Sequence, residues 1–396
     1  MSYTLSNLIS FVNYRIGDSS GGTVDSNLIA EYANEALRRM RRKFEIPPST
    51  RRQEISLFKG VYRYGLPTGT KDVITITGQD DMPDDYNFER TSASDFWRAY
   101  LNHNRFSDER NGNSRDLLVR LTSPQLTDVQ LSDCGSLTAN GTWAILGDAT
   151  NMRLDSQEYR SGSSSIAFDV TPSANYAGLT LTGMTAVDTS STAIYQVGTA
   201  FLWVYLPSYT SFTTVTLRWG KDSSNYWSKT ATTQYSGAAL TTGWNQLGFD
   251  WASATKTGSP TSAISYLQVR FDYPGTMTAQ YAIRIDDIRM KEAKKVWLKT
   301  TSDYLVVDGT NGAFKEAFTS GTDNASYLAC DSAFTDWIWY SVLESTFTYS
   351  IKDQDARALN QALLAECEKS LLETSPSEKP PISYAYIDTD DLADYL

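Results

Sequence analysis

The residues in this sequence that could do bond-breaking chemistry are few. A single histidine, His103, stands in the polar stretch NHNRFSDERNGN. With no second imidazole anywhere and no cysteine nearby, a histidine-rich metal site or a histidine-based triad has little raw material. His103 therefore reads as a surface or turn residue. Asp80, Asp81, Asp84 and Asp85 form the run DDMPDD. Two carboxylates can cleave a glycosidic bond, but acids flanking a proline in this way are better explained as a polar turn. There is no GKS or GKT phosphate loop, no H-E-x-x-H and no dinucleotide fingerprint. Cys134, Cys330 and Cys367 are widely spaced and odd in number, which predicts reduced thiols in a cytosol-assembled protein, not a disulfide frame or zinc site. The expectation is a protein that is not an enzyme.

Charge offers more. The chain has 46 acidic and 35 basic side chains, a formal net charge of -11, yet EALRRMRRKF at positions 35–44 concentrates Arg38, Arg39, Arg41, Arg42 and Lys43. Three readings stand. The cations suit a helix C-terminus, Glu35 can pair with Arg39, and long basic stems cover apolar surface. Alternatively Arg38, Arg41 and Arg42, with Arg51 and Arg52, meet carboxylates of another chain. Or they touch DNA phosphates, although an acidic protein repels that polymer at long range. The natural counterpart is the tail, where Asp388, Asp390, Asp391 and Asp394 accompany Tyr384, Tyr386 and Tyr395 behind Pro380 and Pro381. Such an extended arm can add to a sheet edge or lie in a groove of another chain.

Two short helices are predicted at the start. Leu8, Ile9, Phe11, Val12 and Ile16 share one side of the first, and GDSSGG stops it. Asp25 caps the second, whose Leu28, Ile29, Tyr32, Ala33, Ala36, Leu37, Met40 and Phe44 form an apolar stripe before Pro47 and Pro48. QEISLFKG and VYRYGLPTGTKDVITITG then read as a hairpin or small sheet, and KKVWLKTTSDYLVVDG as another hairpin. Helices return over 334–349 and from Asp353, the latter with Ala356, Leu359, Leu363, Cys367 and Leu371 in line. There is no secretory leader pattern and no apolar run of the roughly 18 residues that spans a membrane.

Between these ends the character changes. SIAFDV, AFLWVYLP, TTVTLRWG, NQLGFDW, YLQVRFDY and YAIRIDDI recur with turn residues between them, the pattern of an antiparallel sandwich. Phe201, Trp203 and Tyr205 share one face of their strand and Leu202, Val204 and Leu206 the other. Leu267, Val269, Phe271 and Tyr273 oppose Tyr266, Gln268, Arg270 and Asp272. The expected fold class is α+β multidomain. Residues 1–126 plus 292–374 form a discontinuous, bundle-like helical domain with a small β element, 127–291 an inserted antiparallel β-sandwich, and 375–396 an extended arm. The apolar faces of the two helical ends need each other.

The phrases IAEYANEALRRMRRKF, ISLFKGVYRYGLPTGTKDVITI, WIWYSVLESTF and KDQDARALNQALLAECEKSL, in that order, resemble the head-to-tail adaptor (connector, head-completion) proteins of tailed bacteriophages. The resemblance covers the discontinuous domain. It implies a virion protein of the neck, assembled in the host cytoplasm, that forms a ring of twelve copies on the portal, binds tail or neck proteins and leaves a channel for genome DNA without sequence-specific binding or any membrane. In that setting Arg38, Arg41, Arg42, Tyr384, Tyr386, Asp390, Asp391 and Tyr395 become subunit or portal contacts. Separately, YRSGSSSIAFDV, AFLWVYLP and YAIRIDDIRM resemble jelly rolls of the carbohydrate-binding-module type. That likeness implies a glycan face at Tyr266, Gln268 and Arg270, and a structural Ca²⁺ at Asp287 and Asp155, with Glu158 or carbonyls as company. No other cofactor is expected. Two functions result: a structural adaptor, or a lectin-like protein acting through the sandwich.

Overall fold

The structure, a computed structural model, describes residues 4–18, 24–44, 49–66, 68–78, 88–92, 96, 104–111, 114–121, 126–310, 313–320, 323–330 and 332–374. His103, the DDMPDD run and the 375–396 arm with Tyr384, Tyr386, Asp390, Asp391 and Tyr395 lie outside the described residues. The chain is mostly β, with 42% strand against 22% helix, so sheets and not a bundle dominate the fold. It divides into two compact units, one drawn from 1–51, 67–73 and 300–396, the other from 52–66 and 74–299.

The first unit carries the helices α1 (Leu5–Arg15), α2 (Ser26–Lys43), α3 (Ser332–Ser345) and α4 (Gln354–Thr374). Asp25 caps α2 as expected, its carboxylate accepting the Asn27 amide at 2.8 Å. The apolar sides of both chain ends meet in one core, where Leu8, Val12, Ile29, Leu37 and Met40 join Ile338, Val342, Leu343 and Leu371. Phe44 stands edge-on to Trp337 at 5.7 Å, and Phe11 lies 4.8 Å from Trp339.

Two helical expectations need correction. The helix expected over 334–349 ends at Ser345 and widens into a π-helical turn over Thr346–Ile351. There Ser345 and Thr346 donate their hydroxyls to the Ser341 and Val342 carbonyls, a local competition that loosens helices. On α4 Ala356, Cys367 and Leu371 pack on the core as expected, but Leu359 is exposed and Asn360 is buried in its place. The Asn360 amide donates to the Tyr340 carbonyl at 2.9 Å, which offsets part of the cost of burying it.

The early strands are β1 (Ser49–Leu57), β2 (Arg63–Gly65), β3 (Asp72–Gly78), β4 (Glu89–Arg90), β5 (Arg105–Asn111) and β6 (Ser114–Arg120). Then come β7 (Asp128–Ser132), β8 (Thr142–Gly147), β9 (Ala149–Asp155), β10 (Ser165–Val170), β11 (Tyr176–Thr182), β12 (Val187–Asp188) and β13 (Thr199–Leu206). They are followed by β14 (Thr214–Asp222), β15 (Asn225–Ala231), β16 (Gly243–Asp250), β17 (Thr255–Thr257), β18 (Ala263–Ile264), β19 (Tyr266–Asp272) and β20 (Gln280–Lys291). The last are β21 (Lys294–Ser302), β22 (Val306–Val307), β23 (Phe314–Lys315) and β24 (Tyr327–Leu328).

The expected small sheet forms around β1 and β3, but the second expected hairpin does not. β21 lies between β1 and β3 in a three-stranded sheet, while β22 pairs with β23 and β24.

The second unit contains the sandwich. One six-stranded sheet runs β16-β13-β20-β10-β9, with β7 also on β20; the other runs β17-β15-β14-β19-β11-β8. The chain passes repeatedly from one sheet to the other, as in a jelly roll. Alternation decides the core: Ala200, Leu202, Val204 and Leu206 of β13 face Leu267, Val269 and Phe271 of β19 in one cluster centred on Trp219 and Trp251.

The unit boundaries differ from the expected ones, because the described residues of 52–66 and 74–126 group with the sandwich. Phe58 packs on Phe201 at 5.0 Å, Tyr64 on Tyr235 at 5.9 Å, and β2 pairs with β6. These long-range aromatic contacts leave no local trace in the sequence.

Candidate functional site

The outer face of the β13 sheet gathers aromatic, amide and charged side chains. Register sets three rows across it, with β13 in the middle: Gly248, Phe201 and Arg289; Gln246, Trp203 and Asp286; Trp244, Tyr205 and Arg284. The first row is roofed. Phe201 is buried under Phe58 and Tyr235, and Gly248 makes room, since a Cβ there would sit 2.3 Å from the Tyr235 ring. In the second row Asp286 is buried, while Trp203 and Gln246 are partly open and line a cleft of about 530 Å³. Trp203 and Gln246 line its base, with Tyr62 and Arg63 on one side and Arg160, Gln234 and Asp287 around the rest.

The loop after β9 brings in Arg160. Its guanidinium lies 4.8 Å from the Trp203 ring centroid and 5.6 Å from that of Trp244. Trp244 in turn donates its indole N–H to Glu158 at 3.4 Å. Asp286 anchors this loop by accepting the backbone amides of Arg160 and Ser161. Burial, reinforced by the adjacent Asp287, pushes the Asp286 carboxyl up to about 6 against those amides. Its Oδ1 is buried with no hydrogen-bond partner among the described residues. A bulge on β20, with Asp287 at φ +51°, lets two consecutive aspartates both stay out of the core.

The expected glycan face is on the other sheet and is largely closed. Tyr266 is 3% exposed and Gln268 7%; only Arg270 is partly open. Tyr226 and Arg218 lie beside Tyr266, Gln268 donates to Thr180 at 3.3 Å, and Arg270 is paired with Asp272 at 2.6 Å over the Tyr176 ring. Burial, and not a full set of partners, closes this face, so Tyr266 and Gln268 offer little surface to a ligand.

The calcium residues are not brought together. Asp155 pairs with Arg284 at 2.8 Å and Asp287 with Arg289. No group of three or more His, Cys, Asp and Glu that could hold a metal occurs among the described residues. Ca²⁺ wants six to eight oxygens, whereas Asp286 is met by N–H donors, so this donor set does not fit the ion. None of the three cysteines is in a disulfide. Cys134 is fully buried, and burial, with the charge of Asp286 nearby, pushes its thiol well up and makes it unreactive.

The basic cluster is mostly answered from within. Arg38 and Arg39 both hold Glu35 at 2.9 and 3.2 Å, and Lys43 pairs with Glu368. Hydrogen bonds from Arg38 and Arg39 hold the Glu35 carboxyl below its usual range. Arg41 reaches Glu316 at 4.0 Å. Arg42 is exposed and makes no ion pair among the described residues. Among those residues no helix is long and apolar enough to cross a membrane.

Sequence reasoning missed the cleft. Its one legible signal was the outward parity of Phe201, Trp203 and Tyr205; Gln246 and Arg160 carried none.

No protein-family model matches the chain. No curated protein matches it either. Among solved structures it is similar to the family 11 carbohydrate-binding module from Clostridium thermocellum in complex with a beta-1,3-1,4-mixed-linked tetrasaccharide, at TM-score 0.28 and 11% identity over 41% of this chain and 94% of that one. It is similar too to the family 30 carbohydrate-binding module of a cellulosomal cellulase of Clostridium thermocellum, at TM-score 0.28 and 14% identity over 45% of this chain and 99% of that one. An exo-beta-agarase is matched at TM-score 0.31 and 11% identity, over 41% of this chain and 25% of that one. None of these three concerns a virion. At such scores the likenesses carry no argument about what this chain binds, and the sandwich stands on its own strand order.

Proposed function

We propose that the protein binds carbohydrate through the cleft above Trp203. The observation that carries this reading is the cleft's composition. An indole floor is ringed by the planar polar groups of Gln246, Gln234 and Arg160, the combination that stacks on a sugar ring and bonds its hydroxyls. The protein acts by binding and not by catalysis. A glycan array probed with the full chain and with Trp203→Ala tests it. Wild type is expected to bind a defined set of glycans, and the variant to lose affinity by about tenfold or more, roughly 1.4 kcal/mol. An array without binders, or binders indifferent to Trp203→Ala, sinks the reading.

A second reading keeps the head-to-tail adaptor. What favours it is the common core of α1, α2, α3 and α4, built from both chain ends, which is the discontinuous body that the adaptor resemblance requires. Here the chain closes a ring with itself, meets portal and tail or neck proteins in the virion, and lets genome DNA pass. Arg42 and the 375–396 arm are its contacts. Co-expression with the portal followed by electron microscopy tests it, a ring on the portal being the expected image and a solitary chain the contrary one.

A further inference from the structure

We infer that the cleft selects an acidic saccharide, one carrying uronate carboxylates, and that Arg160 is the residue that recognises the charge. This rests on the carbohydrate reading and narrows it to a ligand class. In a chain with 46 acidic to 35 basic side chains, an arginine in a cleft would be expected to hold a carboxylate of its own chain. The Arg160 side chain makes no hydrogen bond or ion pair with any described residue. Its contacts are the faces of Trp203 and Trp244, at 4.8 and 5.6 Å. Stacking uses the flat of a guanidinium and leaves the N–H edge free for a planar two-oxygen partner.

The surroundings point the same way. Asp287 lines the cleft, but its charge is taken by Arg289. Arg160 is exposed, but its backbone is fastened by Asp286 and its guanidinium rests on the Trp203 and Trp244 rings, which lowers the ordering required on binding. A neutral glycan over Trp203 would cover this guanidinium and give it no counter-charge, which costs affinity. A uronate would supply that counter-charge while Gln246 and Gln234 bond its hydroxyls.

The test is titration calorimetry on the full chain with hexagalacturonate, neutral cellohexaose and a sulfated hexasaccharide, at low salt and at about 0.5 M salt, where screening is strong. The expected result is hexagalacturonate binding at least about tenfold tighter than cellohexaose, with that advantage shrinking at high salt. Arg160→Gln should bring the two ligands within about threefold of each other and Arg160→Lys should fall between, with thermal unfolding of both variants matching wild type. Tighter binding of cellohexaose, or an advantage untouched by Arg160→Gln, overturns the inference and leaves the carbohydrate reading standing. Tighter binding of the sulfated chain overturns the carboxylate assignment. Absence of binding to all three and to the glycan array overturns both.

Discussion

The buried carboxylate of Asp286 accepts the backbone amide of Ser161 at 2.9 Å, and so ties to β20 the loop that carries Arg160. Burial comes first in pushing this carboxyl up, to about 6, from an ordinary 3.8. A carboxyl raised on folding contributes stability that is fully present below its unfolded value and is lost as pH rises through its folded one. The window is therefore about pH 4 to 6. Asp286→Asn keeps an oxygen for the two amides and removes the buried charge. It is expected to stabilise the sandwich at pH 7.5 by roughly 1–2 kcal/mol, with the advantage fading towards pH 4.5. Urea unfolding across that range measures it, and an equal loss of stability at every pH contradicts it.

The helical core makes a claim about distant parts of the chain. Phe44, at the end of α2, meets Trp337 of α3 edge-on at 5.7 Å. Trp337→Ala is expected to cost about 3–5 kcal/mol. Combined with Phe44→Ala it should reveal a coupling of about 0.5–1.5 kcal/mol beyond area. Strictly additive effects would mean that the two rings do not share a core.

Part of this was legible in the sequence because the signals were local. Asp25 announced the α2 cap, and Leu8, Val12, Ile29 and Met40 fell on the stripes that are buried. The alternation in β13 and β19 assigned their core faces. The choice between their outer faces was not legible, since an aromatic such as Tyr266 is written the same whether a neighbouring Arg218 closes over it or solvent does. Phe58 is a similar case: its roof over Phe201 joins two strands far apart in the chain, and without it 52–66 reads as part of the helical body. Arg160 sits in a Ser- and Gly-rich loop whose placement depends on Asp286, over a hundred positions later.

Gly178 of β11 gives a backbone test of the sandwich. It lies opposite Arg270 of β19, and a Cβ built on it would come 2.0 Å from the Val269 carbonyl oxygen. Because the obstacle is backbone in the middle of a sheet, it cannot swing aside. Gly178→Ala is expected to destabilise by about 2–4 kcal/mol, whereas Gly162→Ala, with nothing within 4 Å but φ +67°, should cost only about 1 kcal/mol of backbone strain. Chemical unfolding of the pair of variants separates close approach from conformational strain.

Arg42 separates intramolecular from intermolecular use of the basic cluster. Its neighbours Arg38, Arg39 and Lys43 already have carboxylates in the same chain, and exposed pairs of that kind contribute about 0–1 kcal/mol each. Lys43→Ala should therefore lower stability of the helical unit by no more than about 1 kcal/mol. Arg42→Glu removes no partner among the described residues and should leave stability within about 0.5 kcal/mol. Any larger effect must then appear between molecules: in the adaptor reading, reversing this charge weakens self-association or portal capture at low salt, and the difference closes as salt rises. Sedimentation of wild type and variant with and without portal reads this directly. Equal behaviour of the two at low salt would return the cluster to the helix it caps.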